Sequence, residues 1–546
     1  MNGFKFSKFT EKFISILLAI LVIIFILLPF VSVFKESFFV NGKFSLEYYR
    51  DILSNRKLIV NTFKTGFYAT FFATFAAVIV ACYYFLANKK IKNIITIILS
   101  ITLISPPFVS SLSYITLFGR RGFITYKLLG LSVNPYGMWG IVFMQTLSDL
   151  SLNALILIGA LKTLDRNVIN SASSLGANTN RIILDVIIPA MKNQIIAVVL
   201  LEFFRSISDF GTPAIIGGNF SVLSLESYFE IIANGNLSKA AAMNVIILVP
   251  ALVVYLFLSG SLKTGITMDS FSKTEEVEIK RNGILYYLIS IFAIFFIILI
   301  TSIYLSILLN AFTKMKLGKL IFTLDNFRTT NMFAKSIVWR SVSYSLISAI
   351  GGTLIGLLIA YYLIIKKSRM MKFVDMVSNL PYIIPGTFFG LGYLLFFRSP
   401  PIAITGTAAI VVLNVLFKQL PFSTRALNAQ MTDIDSNVLN SIKDLGGGFK
   451  DEIVDGIIPM TKNAIMISLI NAFTKTMTTV GTIIFLVYPG RKLMTLVMFD
   501  VIQSGKYGEG SVLAFYIILI CLAFNIFLRF LMNRDFRKRD RSVFRG

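Results

Sequence analysis

One stretch of this chain occurs twice, and it constrains everything else. The first copy is Asn170-Ser-Ala-Ser-Ser-Leu-Gly176-Ala-Asn-Thr-Asn-Arg-Ile-Ile-Leu-Asp-Val-Ile-Ile-Pro189-Ala-Met-Lys-Asn193. The second is Asn440-Ser-Ile-Lys-Asp-Leu-Gly446-Gly-Gly-Phe-Lys-Asp-Glu-Ile-Val-Asp-Gly-Ile-Ile-Pro459-Met-Thr-Lys-Asn463. Residues 165–195 and 435–465 share 15 identities in 31 positions without a gap, at an offset of 270 residues. In both copies Gly and Pro stand 13 residues apart. The offset is about half of the 546 residues, so the chain is an internal duplication, and the fold must be read as two related halves.

Both copies are polar islands in an apolar protein. Hydrophobic residues make up 56% of the chain and charged residues 14%, against roughly 25% charged in soluble domains. So much apolar surface indicates a polytopic membrane protein. The formal charge of +25 then belongs to loops held on the cytoplasmic side rather than to a nucleic-acid surface. Histidine is absent, which removes the commonest metal ligand and general base. Cys82 and Cys521 lie in apolar runs, so neither a disulfide nor a metal site is indicated.

Lys5, Lys8 and Lys12 precede an apolar run at about 13–34. It is too long for the apolar core of a signal peptide and reads as an uncleaved first span. Five more runs follow at about 65–87, 93–117, 136–161, 194–217 and 240–261. After a hydrophilic stretch the pattern repeats at about 283–309, 338–364, 371–397, 402–427, 464–488 and 509–533. The expected fold is all-α, with about twelve transmembrane helices in two parallel six-helix repeats. The halves are 1–264 and 283–546, joined by a cytoplasmic linker at 265–282; the islands are the loops 165–193 and 435–463.

Lys89, Lys90 and Lys92, then Lys366, Lys367, Arg369 and Lys372, and the basic tail from Arg534 all fall on one side if both termini are cytoplasmic. Residues 35–64 run against this rule, since they carry several Lys and Arg on the other side. Six spans separate the islands, so both face the cytoplasm, and the halves are related by a pseudo-two-fold axis along the membrane normal.

Each island reads as a short helix, a turn at Gly176 or Gly446 where free φ is needed, and a second short helix ending near Pro189 or Pro459. Leu175-Gly176-Ala177 with Ile188-Pro189, and Leu445-Gly446 with Ile458-Pro459, resemble the EAA motif of permease subunits in binding-protein-dependent ABC importers. The Glu-Ala-Ala positions of that motif read Asn170-Ser171-Ala172 and Asn440-Ser441-Ile442, so its acidic residue is missing from both copies. The resemblance implies that Asn170, Ser171, Leu175, Gly176, Pro189, Asn440, Ser441, Leu445, Gly446 and Pro459 form coupling helices for an ATPase. The chain has no G-x-x-x-x-G-K-[ST]; Gly42-Lys43, Gly318-Lys319 and Gly505-Lys506 lack its flanking residues. ATP and Mg are therefore expected on a partner ATPase, present in two copies. This chain itself would be no enzyme and hold no cofactor.

The fused layout resembles the iron(III)-transport permeases of type I ABC importers, which are related to 2-aminoethylphosphonate, thiamine and polyamine permeases. Ser208-Asp-Phe-Gly-Thr-Pro-Ala214, Gly217-Gly-Asn-Phe220 and Thr478-Thr-Val-Gly-Thr482 resemble segments of the iron(III) and aminoethylphosphonate members. The resemblance implies ferric iron as the foremost solute, an extracytoplasmic solute-binding protein as partner, and a bacterial plasma membrane as location. An ion-coupled secondary transporter also has six-plus-six halves but has no use for two matched islands. A membrane enzyme or assembly factor would need a nucleophile or metal cluster, and the sequence displays none.

Charges within spans are costly and mark cavities or pairs. Glu202, Arg205 and Asp209 stand at i, i+3 and i+7 of the fifth span; Asp149 lies in the fourth; Lys475 matches Arg205 at the 270-residue offset, with Thr479 after it. These six are candidates for the translocation path, none as a metal ligand. The plain alternative is that Glu202 and Arg205 pair with each other. Pro106-Pro107, Pro381 and Pro385 should interrupt the third and ninth spans.

Overall fold

The structure is a computed structural model describing residues 2–40, 42–132, 134–261, 282–316, 319–488 and 490–543. Linker residues 265–281 lie outside the described residues, as does Arg545 of the basic tail. Among the described residues the regular structure is helical except for two short hairpins. Among the described residues six helices have the length and apolarity to cross a membrane: Thr10–Phe38, Arg56–Leu86, Met138–Lys162, Ile284–Phe312, Asp325–Ile365 and Tyr507–Met532. Four further pairs are bent at a short break, giving up to ten spans. Helices Leu237–Ser261 and Ala408–Thr432 occupy the places of the sixth and tenth apolar runs.

The breaks have local causes. Lys89–Ile104 and Phe108–Leu128 meet at 110° across Ser105-Pro106-Pro107. Arg369–Ile383 and Gly386–Phe397 meet at 117° across Ile384-Pro385. Proline lacks an N–H and pushes the residue before it out of the helical region; Ser105 and Ile384 are both extended, at ψ 145° and 130°.

The fifth and eleventh apolar runs are shorter as helices than their hydropathy suggests. Lys192–Ser208 stops before Asp209, and Lys462–Thr478 stops before Thr479. Asp209 Oδ1 instead accepts the N–H groups of Gly211 and Thr212, at 2.9 and 3.2 Å, opening a new short helix at Gly211–Ile216. A short carboxylate that caps the next helix outcompetes continuation of the first.

The hairpins were not anticipated. Each follows the first span of a half: Phe39–Val40 with Lys43–Phe44, and Thr313–Lys316 with Lys319–Phe322. Phe38 stacks on Phe44 at 6.0 Å and Phe312 on Phe322 at 5.9 Å.

The described chain forms two compact units, and these cross the sequence halves. One comprises 1–45, 331–497 and 516–546; the other comprises 46–330 and 498–515. The first span therefore packs among second-half helices. Phe25 stacks on Phe417 and Phe397, at 5.0 and 5.5 Å, and its carbonyl accepts the Tyr393 hydroxyl at 2.7 Å. In the other unit, Ile284–Phe312 packs among first-half helices. Ser113 donates to the Ile303 carbonyl at 2.9 Å, and Asn310 donates to Thr116 Oγ1 at 2.7 Å.

Gly392 makes the first of these packings possible. A Cβ there would lie 2.6 Å from the Pro29 carbonyl oxygen, so only hydrogen fits. Gly392→Val forces the first span away at a cost of about 1–3 kcal/mol. The expected result is a lower melting temperature of the detergent-purified protein; a melting curve identical to wild type would contradict this packing.

Candidate functional site

The two islands fold alike from their local sequence. Asp165 caps helix Arg166–Ser174 by accepting the Asn167 N–H at 2.9 Å, and Asp435 caps Ser436–Asp444 in the same way. Each helix then closes with the same C-terminal turn. Gly176 N–H donates to the Ser173 carbonyl and Ala177 N–H to that of Ala172, both at 3.0 Å. Gly446 and Gly447 repeat this to Lys443 and Ile442, both at 2.9 Å. Such a cap needs a left-handed residue, and Gly176 and Gly446 have φ +82° and +85°.

A second helix follows, Thr179–Ala190 or Phe449–Met460. It bends by 62° or 77° into the next span. Pro189 and Pro459 sit in its last turn, just after a π-helical stretch at Ile182–Ile187 or Glu452–Ile457. Proline removes one N–H there, and the wider turns precede it.

The apolar face of each island is buried through Ile169 and Ile187, or Leu439 and Ile457. The other face is open. Asn170, Ser171, Leu175, Gly176 and Pro189 are exposed, as are Asn440, Ser441, Leu445, Gly446 and Pro459. Leu175 and Leu445 are 88% and 89% exposed at the tip of each turn.

Of the six intraspan candidates, four come together between Met138–Lys162 and the Lys192–Ser208 helix with its end. Arg205 pairs with Asp149 of the facing helix, Nη1 to Oδ1 at 3.9 Å. Glu202 is fully buried and accepts the Asn153 amide on Oε2 at 2.7 Å. Each of Glu202 and Arg205 thus has a partner on the neighbouring span, in addition to the charge of the other beside it. Asp209 lies beyond the helix end, where its Oδ2 accepts from Gln145 Nε2 at 3.1 Å. Gln145 Oε1 in turn accepts the Ser206 hydroxyl at 2.6 Å.

Sequence reasoning missed Gln145 and Asn153. With Asp149 they stand four residues apart, a stripe of larger polar side chains on one face of a mostly apolar helix, and that spacing could have found them. Lys475 and Thr479 belong to the other compact unit. Lys475 is exposed in the last turn of its helix, and the Thr479 carbonyl accepts the Thr495 hydroxyl at 2.8 Å.

That unit holds two further cationic side chains that the sequence did not flag. Lys418 donates to the carbonyls of Pro381 and Ile384, both at 2.6 Å, where the ninth span is broken. Arg425 Nε donates to Asn379 Oδ1 at 2.8 Å, and its guanidinium lies over the Tyr382 ring.

Residues 69–264 and 352–538 match the family described as binding-protein-dependent transport system inner membrane component. The chain belongs to this family. It is a multi-pass membrane permease of the ABC-transporter type, and each match takes in one island. Among curated proteins it is similar to the ferric transport system permease protein FbpB of Actinobacillus pleuropneumoniae, with 26% identity over 97% of this chain and 80% of that one. It is 28% identical to the putative ferric transport system permease protein FbpB 1 of Haemophilus influenzae, over 87% of this chain and 78% of the relative. The putative 2-aminoethylphosphonate transport system permease protein PhnU of Salmonella typhi is 23% identical over 41% of this chain and 82% of its own length.

The left-handed glycines give a direct test of island geometry. A Cβ at Gly446 meets no atom within 4 Å, so Gly446→Ala carries backbone strain alone. That strain is about 1–2 kcal/mol. Amide exchange across 436–447 should accelerate about tenfold, and unchanged exchange would contradict the left-handed turn.

Proposed function

We propose that this chain is the membrane-spanning subunit of an ATP-driven importer and that ferric iron is its solute. One observation carries the solute reading. Two relatives that align with 97% and 87% of this chain are named ferric transport permeases; another, aligned over 80%, is named only as a probable ABC transporter permease, and the aminoethylphosphonate relative aligns with 41%.

The halves 1–264 and 283–546 each contribute one island, on the cytoplasmic face together with both termini. The islands dock one ATPase subunit each, and ATP and Mg are bound there rather than by this chain. Their like geometry and exposed Leu175 and Leu445 support this reading. An exposed leucine on a polar, well-capped turn is the kind of anchor a partner's groove takes up. Two equivalent anchors suit a symmetric pair of ATPase subunits.

A loaded solute-binding protein docks on the outer face. ATP binding closes the ATPase dimer, the islands carry that motion into the spans, and the path opens outward. Hydrolysis returns the transporter to its inward-open form. Asp149, Glu202, Arg205, Asp209, Lys475 and Thr479 border the path. No covalent chemistry falls to this chain. A path must hold its solute weakly to release it, so tight recognition belongs to the binding protein.

The experiment is uptake of labelled ferric iron under iron limitation. Deletion of the gene abolishes ATP-dependent uptake, wild type restores it, and the double variant Gly176→Asp, Gly446→Asp does not. Iron uptake that survives deletion would remove iron as the solute and bring forward 2-aminoethylphosphonate, then thiamine and polyamines. Full uptake by the double variant would favour an ion-coupled carrier.

A further inference from the structure

The islands share a fold but are fastened by different chemistry. At matching positions, 270 residues apart, the first has Ile182 and the second has Glu452. Both are buried, each about 2% exposed. Ile182 lies in an apolar cluster with Tyr84, Leu86, Ile95 and Ile183. Glu452 sits in a charged joint. Its Oε2 accepts the Tyr361 hydroxyl at 2.8 Å and Lys366 Nζ at 3.2 Å, and its Oε1 lies 3.5 Å from Lys443 Nζ. Lys366 also reaches Glu11 Oε1 at 3.4 Å, and the Glu11 carbonyl accepts the Tyr362 hydroxyl at 3.0 Å. Phe449 of the same island packs on the rings of Tyr361 and Tyr362.

One buried carboxylate therefore ties three elements: the second island, the cytoplasmic end of Asp325–Ile365, and the start of Thr10–Phe38. A buried carboxylate persists only if it is paired and hydrogen-bonded. Glu452 has two ammonium groups and one hydroxyl around it, and Lys366 is shared between two carboxylates. Apolar packing tolerates sliding, because it is non-directional. A charge-assisted hydrogen bond fixes direction as well as distance. The charged joint is thus the stiffer of the two links between an island and its spans.

We propose that Glu452 is a positioning residue that transmits motion of the second island to the first and eighth spans through Lys366, while the first island transmits through apolar packing at Ile182. The two ATPase subunits would then drive mechanically unlike halves. This inference rests on the reading of the islands as ATPase-docking elements.

The test reconstitutes the full transporter with its ATPase and binding protein, and measures solute moved per ATP hydrolysed together with ATPase retention on purification. Glu452→Gln keeps an acceptor for Tyr361 and removes the charge. Lys366→Met removes the cation from the other side. Both variants should retain the ATPase and continue to hydrolyse ATP while transport per ATP falls about tenfold. Glu452→Asp, which keeps the charge, should recover part of the loss and serves if the Gln variant does not reach the membrane. Unchanged transport per ATP in Glu452→Gln and Lys366→Met would overturn the proposal. So would loss of the ATPase subunit from these variants, since Glu452 would then act on docking. Leu445→Asp tests the underlying reading separately: if it neither releases the ATPase nor lowers hydrolysis, the docking role itself fails, whatever Glu452 does.

Discussion

A carbonyl or N–H freed inside a bilayer has no water to turn to. Most of what is distinctive in this structure answers that constraint. Proline breaks the ninth span, and Lys418 supplies protons to the two carbonyls the break releases. The fifth span ends at Ser208, and Asp209 takes up the first N–H groups of the helix beyond it. The first span of the second half ends in a hairpin, and Asn326 Nδ2 donates to the carbonyls of Asn310, Ala311 and Thr313 there. Lys418, Asp209 and Asn326 thereby repair backbone, and Asp149 pairs with Arg205. Spans can then break at defined places with the freed backbone groups taken up by nearby side chains.

The islands obey the same rule outside the membrane core, with more freedom. Their turns are alike to a few degrees of φ because one motif, left-handed glycine with two nested hydrogen bonds, satisfies the helix end in both. Their attachments differ because burial can be satisfied in two ways, by apolar contact or by a charge set among opposite charges. Both copies present the same Asn-Ser start, Leu-Gly turn and Pro, while the buried position 182 or 452 is apolar in one and charged in the other.

How far the sequence reveals this depends on the range of the cause. The islands were legible because caps, glycine turns and proline act within a few residues. The broken third and ninth spans were legible for the same reason. The stops at Ser208 and Thr478 were not, since apolar residues continue past both, and at the first hydropathy cannot register the Asp209 carboxylate that opens the next helix. Asp149 as partner of Arg205, and Asn153 as partner of Glu202, needed two spans brought together. Nothing local marks Glu452 as buried, and its partner Lys366 lies 86 residues away. The composition of the compact units was least legible of all, because nothing local tells the first span of a half to pack among helices of the other.

The central claim is that both islands face a cytoplasmic ATPase. Cys82 and Cys521 are buried, so Leu175→Cys and Leu445→Cys would each introduce an accessible thiol on a quiet background. Crosslinking in intact cells is the direct measurement. The account predicts that each thiol forms an adduct with the same ATPase polypeptide and resists a membrane-impermeant thiol reagent added outside. Labelling from outside, or the absence of an ATPase adduct at both positions, would contradict it.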